Sequence, residues 1–114
     1  MKSYISNAFS MNMISDELDD FDLIVTAVDR SDLTHDYADF VENASFCINN
    51  QATCDLFTVV TGIKAVANRA DIKLDIGDTI LVFQYNGTRL EEGLTKIPEG
   101  GKLRMFLVEV SSAG

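Results

Sequence analysis

The chain contains few of the residues that build metal centres and disulfide frameworks. Its 114 residues include two cysteines, Cys47 and Cys54, and a single histidine, His35. Neither cysteine has a second Cys pair or a His at the spacing of a zinc site, and two thiols do not make a disulfide framework. We therefore expect buried thiols, no metal and no cofactor.

Long apolar runs are also missing. No stretch approaches the ~20 apolar residues that a helix needs to cross a bilayer, and the first residues lack the unbroken apolar region of a secretory signal. These absences predict a cytoplasmic protein with no membrane partner.

Basic residues are scarce, with 9 Lys and Arg against 18 Asp and Glu and a net charge of -9. This balance argues against a DNA duplex as partner, because such binding depends on many cationic contacts to phosphate. The acid is concentrated in one segment, most simply a solvated connection, which contains Asp16, Glu17, Asp19, Asp20 and Asp22. A small anionic ligand is still compatible with the composition, because a pocket lined by one or two arginines is locally positive.

The apolar pattern predicts one domain over residues 1–114, with an α/β fold. A mixed β-sheet of about five strands is flanked by helices. The predicted strands are residues 2–6, 21–28, 72–74, 78–85 and 102–110, and the predicted helices are residues 32–43 and 50–61. The strand at 21–28 is apolar enough to be buried on both faces. Asn49 or Asn50 would cap the second helix, and Gly62 would end it.

Residues 87–93, GTRLEEG, form a glycine-bounded loop after an apolar strand. Arg89 could hold a phosphate through two parallel hydrogen bonds, and Glu91 or Glu92 could take or position a proton. The alternative is an exposed loop whose charges pair weakly, for about 0–1 kcal/mol.

Near the start of the chain, polar side chains interrupt an apolar run. Asn7, Ser10 and Asn12 lie within SNAFSMNM, residues 6–13. They either satisfy the backbone of their own loop or present neutral donors and acceptors to a ligand.

Four stretches in a fixed order, SNAFSMNM, INNQAT, NRADIKL and RLEEG, carry a family resemblance. The chain resembles the viral ring nucleases, anti-CRISPR proteins that destroy cyclic tetra-adenylate, the second messenger of type III CRISPR defence. The resemblance implies a homodimer that closes over the ring. It also implies a metal-independent reaction, in which a ribose 2′-hydroxyl attacks the neighbouring phosphodiester.

The resemblance also implies roles for single residues. Asn7, Ser10 and Asn12 would contact the cyclic nucleotide. Arg69, in the pair Asn68-Arg69, would also contact it. Arg89 and Glu92 correspond to the family's second arginine and its catalytic glutamate. For Arg69 the alternative is a surface charge that leads into a strand.

One position departs from the family pattern. Asn50 stands where the family has its general-acid histidine. An amide donates a hydrogen bond but delivers no proton near neutral pH, and loss of a general acid costs about 10²–10⁴ in rate. His35 lies in the preceding helix and is expected at the surface; the alternative is that it substitutes for the missing acid.

Three explanations are compatible with Asn50: a sponge that sequesters its ligand, a slow nuclease that relies on ribose alignment and Glu92, or a chain changed from His to Asn. A different ring, such as a cyclic dinucleotide, is the ligand if Asn50 marks a change of specificity.

An alternative from another functional class is a small regulatory or adaptor domain with no nucleotide ligand. It is compatible with the acidic surface and with the turn and strand at residues 76–83, a pattern common in small β-rich folds.

Overall fold

The computed structural model describes residues 1–113, which form one five-stranded sheet with helices. The strands are β1 (Ser3–Ser6), β2 (Phe21–Val28), β3 (Ser45–Phe46), β4 (Thr79–Asn86) and β5 (Lys102–Ser112). The helices are α1 (Arg30–Thr34), α2 (Ala38–Asn43) and α3 (Gln51–Thr61), with a short 3₁₀ helix at Met11–Met13. The sheet order is β2-β5-β4-β1-β3, in which β1 runs parallel to β3 and β4 while β5 is antiparallel to β2 and β4. The predicted mixed α/β sheet is confirmed.

Strand β4 is buried on both faces because each face supports its own hydrophobic cluster. Leu81 and Phe83 pack with Phe57 of α3, and the Phe57 and Phe83 rings meet edge to face at 5.2 Å. Ile80 and Val82 belong to the second cluster on the opposite face. Fully burying one such side chain contributes about 1.5–3 kcal/mol, so β4 is the central apolar element of the fold.

The prediction that residues 21–28 are buried on both faces is wrong. β2 is an edge strand that pairs only with β5, and Ile24 and Val25 are 51% and 58% exposed. An apolar run specifies a strand, but its place in the sheet depends on strand pairing, which the run itself does not encode.

The predicted strand at residues 72–74 is also wrong. Leu74 makes a single parallel bridge to Ile14, outside the five-stranded sheet. The fifth strand is instead β3, whose two residues pair with Tyr4 and Ile5 on the edge of β1 that faces away from β4. Both segments are too short for periodicity to distinguish them.

The predicted helix at residues 32–43 is divided into α1 and α2. His35 leaves the helical region at φ -121° and ψ -80°, and the amides of His35 and Tyr37 both donate to the Asp32 carbonyl. Leu33 and Val41 are buried on either side of the break. The apolar spacing is therefore preserved although the helix is not continuous.

The second predicted helix is confirmed as α3. Asn50 caps it, and Gly62 ends it in the left-handed conformation at φ +76°. Among residues 1–113, none of the helices combines the length and the apolarity needed to cross a bilayer. Cys47 and Cys54 are buried and unpaired as predicted, and burial raises the pKa of both thiols.

Candidate functional site

The carboxyl ends of three parallel strands lie at one edge of the sheet. Ile5 pairs with Phe46, and Ser6 pairs with Val82, so the segments that follow β1, β3 and β4 emerge on the same side. In open α/β sheets, ligands bind outside the carboxyl ends of the strands. The polar stretches after β1 and β3 and the loop after β4 meet at this edge.

Asn49 is the centre of the polar network at this edge. Its side-chain oxygen accepts from the Asn7 amide at 3.2 Å and from the Asn50 amide at 3.0 Å. The Asn49 backbone N–H donates to the Asn7 side-chain oxygen at 3.4 Å, and its carbonyl accepts from Nε of Arg69 at 3.3 Å. Asn49 therefore holds the side chain of its neighbour Asn50 and those of two distant residues, Asn7 and Arg69.

Asn50 also has a structural role. Its side-chain oxygen accepts from the Thr53 backbone N–H at 2.8 Å and so caps α3. The first N–H groups of a helix have no partner within the helix, and this end carries a partial positive charge. Asn50 is exposed, and its amide has a second hydrogen beyond the one donated to Asn49.

A cavity of about 400 Å³ lies between the segment after β1 and residues 69–73. Its charged lining residues are Arg69, Asp71 and Lys73, and its neutral polar lining includes Asn7, Asn12 and Asn49. Lys73 crosses from one wall to the other, because its Nζ donates to the Asn12 carbonyl at 2.8 Å. The bridge between residues 14 and 74 holds the two walls together. The cavity therefore combines two cationic side chains and one carboxylate with neutral amides.

A second cavity of about 620 Å³ lies between the start of α3 and the loop after β4. It is lined by Asn50, Gln51, Arg89, Glu91 and Glu92, among others. This cavity combines one guanidinium, two carboxylates and the positive end of a helix, which is a suitable environment for both a phosphate and a proton acceptor.

The two cavities are connected through neighbouring residues. Asn49 lines the first and Asn50 lines the second, and the Asn50 amide donates to Asn49 between them. Together they contain three basic residues, Arg69, Lys73 and Arg89, and three acidic residues, Asp71, Glu91 and Glu92. The charges that line the two cavities are therefore balanced, whereas the whole chain has a net charge of -9.

Asp55 of α3 holds the loop that forms one wall of the second cavity. Its Oδ2 accepts from the Gly93 backbone N–H at 2.7 Å, and its Oδ1 accepts from the Gln51 side chain at 2.9 Å. These bonds, with that from Gly93 the stronger influence, lower the pKa of Asp55. The ionised carboxylate is the form that both donors stabilise.

Two of the sequence candidates lie outside these cavities. Ser10 lines neither one; its carbonyl accepts from the Met13 N–H at 3.0 Å, and its side chain makes no capping bond. His35 is exposed at the end of α1, with Nδ1 2.9 Å from the Ser31 carbonyl oxygen. His35 therefore does not face Asn50 across either cavity.

Sequence reasoning missed Asn49, Lys73 and Asp55. The alternation of apolar and polar residues in Ile72, Lys73 and Leu74 was a usable signal for the lysine, and Lys73 is the exposed residue of the three. Asn49 and Asp55 gave no such signal, because an amide before a helix and a carboxylate within one are common. Within residues 1–113, no group of three or more His, Cys, Asp or Glu residues is placed to hold a metal ion.

Comparison with known proteins gives a family and a fold. A family model described as STIV B116-like matches residues 3–99. Among solved structures, B116 of Sulfolobus turreted icosahedral virus (STIV) aligns with a TM-score of 0.77 and 24% identity, over 96% of this chain and 99% of that chain. That likeness establishes the fold alone. No curated protein matches the sequence. Because the family model covers most of the chain, the protein belongs to the STIV B116-like family, which is named for a viral protein.

Proposed function

We propose that the protein binds a cyclic oligoadenylate, with cyclic tetra-adenylate as the preferred ring, and so blunts type III CRISPR immunity in the cytoplasm of the host cell. The observation that carries this proposal is the network around Asn49. It joins Asn7 and Arg69 in one cavity to Asn50 at the mouth of the next, where Arg89 and Glu92 also lie.

The chemistry of the two cavities suits a ring of phosphates and bases. Arg69 and Lys73 supply positive charge in the first cavity, and Arg89 supplies it beside the start of α3 in the second. Charge-assisted hydrogen bonds to phosphate are about twice as strong as neutral ones. The amides of Asn7 and Asn12 offer donors and acceptors to bases and ribose hydroxyls.

Ring opening at this site would proceed through the ribose of the ligand. The 2′-oxygen forms a bond to phosphorus while the bond from phosphorus to O5′ breaks, which leaves a 2′,3′-cyclic phosphate and a 5′-hydroxyl. Glu92 takes or positions the proton of the 2′-hydroxyl, and alignment of the ribose supplies much of the rate. Asn50 donates a hydrogen bond but no proton, so O5′ takes its proton from water. Slow cleavage and simple sequestration both follow from this arrangement.

A homodimer would complete the site. Both cavities open at the same edge of the sheet, and a two-fold axis between two such edges matches a ring that repeats four times around a circle. One subunit then supplies one set of Arg69, Arg89 and Glu92, and the second subunit supplies the other set.

Calorimetry with cyclic tri-, tetra- and hexa-adenylate tests the proposal, with linear tetra-adenylate as the ligand control. Arg69→Gln should weaken binding, whereas Arg104→Gln is the matched control. Arg104 lies over the Phe106 ring at 4.8 Å and lines neither site cavity, so this substitution removes the same charge elsewhere. Binding of none of the rings, or equal losses in the two variants, would overturn the proposal.

The second candidate function is a regulatory or adaptor domain with no nucleotide ligand. It is favoured by the exposed edge strand β2, where Ile24 and Val25 leave apolar surface available to another protein. A melting temperature that no cyclic nucleotide raises would support this function instead.

A further inference from the structure

The loop between β4 and β5, residues 87–101, contains no helix or strand and forms the outer wall of the second cavity. Its two ends are held together, because Asn86 pairs with Lys102. Tyr85 fills the space between them. A Cβ atom at Gly87 would lie 2.7 Å from the Tyr85 hydroxyl oxygen, and one at Gly101 would lie 2.6 Å from its ring. The base of the loop is therefore closely packed.

The middle of the loop is attached differently. Leu90 and Leu94 pack against the main core, but residues 91–93 are exposed. The hydrogen bond from the Gly93 N–H to Asp55 ties this exposed section to α3. Gly93 has a φ of +77°, a conformation that favours glycine. Apolar packing is non-directional, whereas a 2.7 Å hydrogen bond to a carboxylate fixes both distance and orientation.

We infer that Asp55 is a positioning residue, which holds the Gly93 amide and thereby fixes Arg89 and Glu92 beside Asn50. Glu92 directly precedes Gly93, and Asn50 begins the helix that carries Asp55. Both sides of the second cavity are therefore attached to the same helix, α3. The attachment of the loop stands on geometry alone; its consequence for ligand binding rests on the proposed function.

Hydrogen exchange of the ligand-free protein, followed by mass spectrometry, tests the attachment. In Asp55→Ala, we expect the Gly93 amide, measured in the peptide that covers residues 91–97, to exchange about tenfold or more faster, because its N–H loses the acceptor that protects it. Trypsin cleavage after Arg89 and Lys96 should accelerate in parallel. Asp55→Asn should restore part of the protection, because its side-chain oxygen can still accept from Gly93.

Asp29→Ala is the matched control. Asp29 is another carboxylate that accepts a backbone N–H, from Asp32 at 3.0 Å, but it caps α1 and does not line the second cavity. Its loss should leave exchange in residues 91–97 unchanged. Equal loop exchange in Asp55→Ala and the unaltered protein would overturn the inference.

Calorimetry with cyclic tetra-adenylate separates this inference from the proposed function. If the ring binds, Asp55→Ala should weaken it about tenfold and Asp55→Asn should weaken it less. Arg69→Gln should weaken binding without changing loop exchange. A released loop with unaltered affinity would refute the positioning role. If the unaltered protein binds no ring, the proposed function fails, and hydrogen exchange still decides whether Asp55 holds the loop.

Discussion

Asn50 is predicted to serve stability and ligand binding through different atoms, so two substitutions should separate the roles. Its side-chain oxygen caps α3 by accepting from Thr53, and its amide nitrogen donates to Asn49. Asn50→Ala removes both. Loss of an N-cap typically costs about 1 kcal/mol. For a chain of this size that cost lowers the melting temperature by about 4 °C.

Asn50→Asp removes only one of these interactions. A carboxylate still accepts from the Thr53 N–H, and its charge at the positive end of the helix adds about 0.3–1 kcal/mol of stability. It cannot donate to Asn49, however, and it places a negative charge at the mouth of the cavity where a phosphate would bind. We therefore expect a melting temperature at or above that of the unaltered protein, together with weaker binding of cyclic tetra-adenylate.

Thermal unfolding followed by circular dichroism, with calorimetry on the same samples, measures both effects. An unchanged melting temperature in Asn50→Ala would refute the capping role. If Asn50→Asp binds the ring as tightly as the unaltered protein, the Asn50 side chain does not face the ligand, and the arrangement proposed for the second cavity is wrong.

Four further predictions concern single positions. Asn50→His should accelerate ring cleavage by about 10² or more if this is the acid position; product chromatography would show unchanged turnover if it is not. Arg69→Gln should weaken binding by about 1.5–3 kcal/mol, the usual contribution of a charged hydrogen bond, and calorimetry would contradict this with an unaltered Kd. Gly62→Ala should lower the free energy of unfolding by about 1 kcal/mol. The cost comes from the backbone, since φ is +76° and the added Cβ would meet no neighbouring residue within 4 Å. A urea titration measures this cost, and Gly62→Asn should show a smaller one. The Gly93 N–H chiefly lowers the pKa of Asp55 from its ordinary value of 3.8. The ionised Asp55 therefore stabilises the fold above pH 3.8, and this stabilisation is lost as the pH falls through the lower pKa of the folded state. Asp55→Asn should remove this part of the acid sensitivity.

Elements with strong local signals were predictable from the sequence. The apolar face of α3 lies between a capping asparagine and Gly62, and β4 and β5 are long apolar runs bounded by turns. Local chemistry specifies such elements because capping bonds and left-handed turns form within a few residues. The pairing of β3 was not predictable in this way, since it depends on β1, which is distant in the sequence. The break at His35 involves local hydrogen bonds to Asp32, but the apolar spacing is the same with and without it.

The sequence by itself determined which chemical groups are available: a few arginines and amides in an acidic chain, and an asparagine where the resemblance places a histidine. Only the tertiary structure decided that Asn7, Asn49 and Arg69 meet, that Ser10 lies apart from them, and that Asp55 reaches Gly93. The physical reason is the parallel pairing of β1 with β3 and β4, which brings the ends of three strands to one edge. That pairing results from burial of the whole sheet, and no single stretch of residues encodes it.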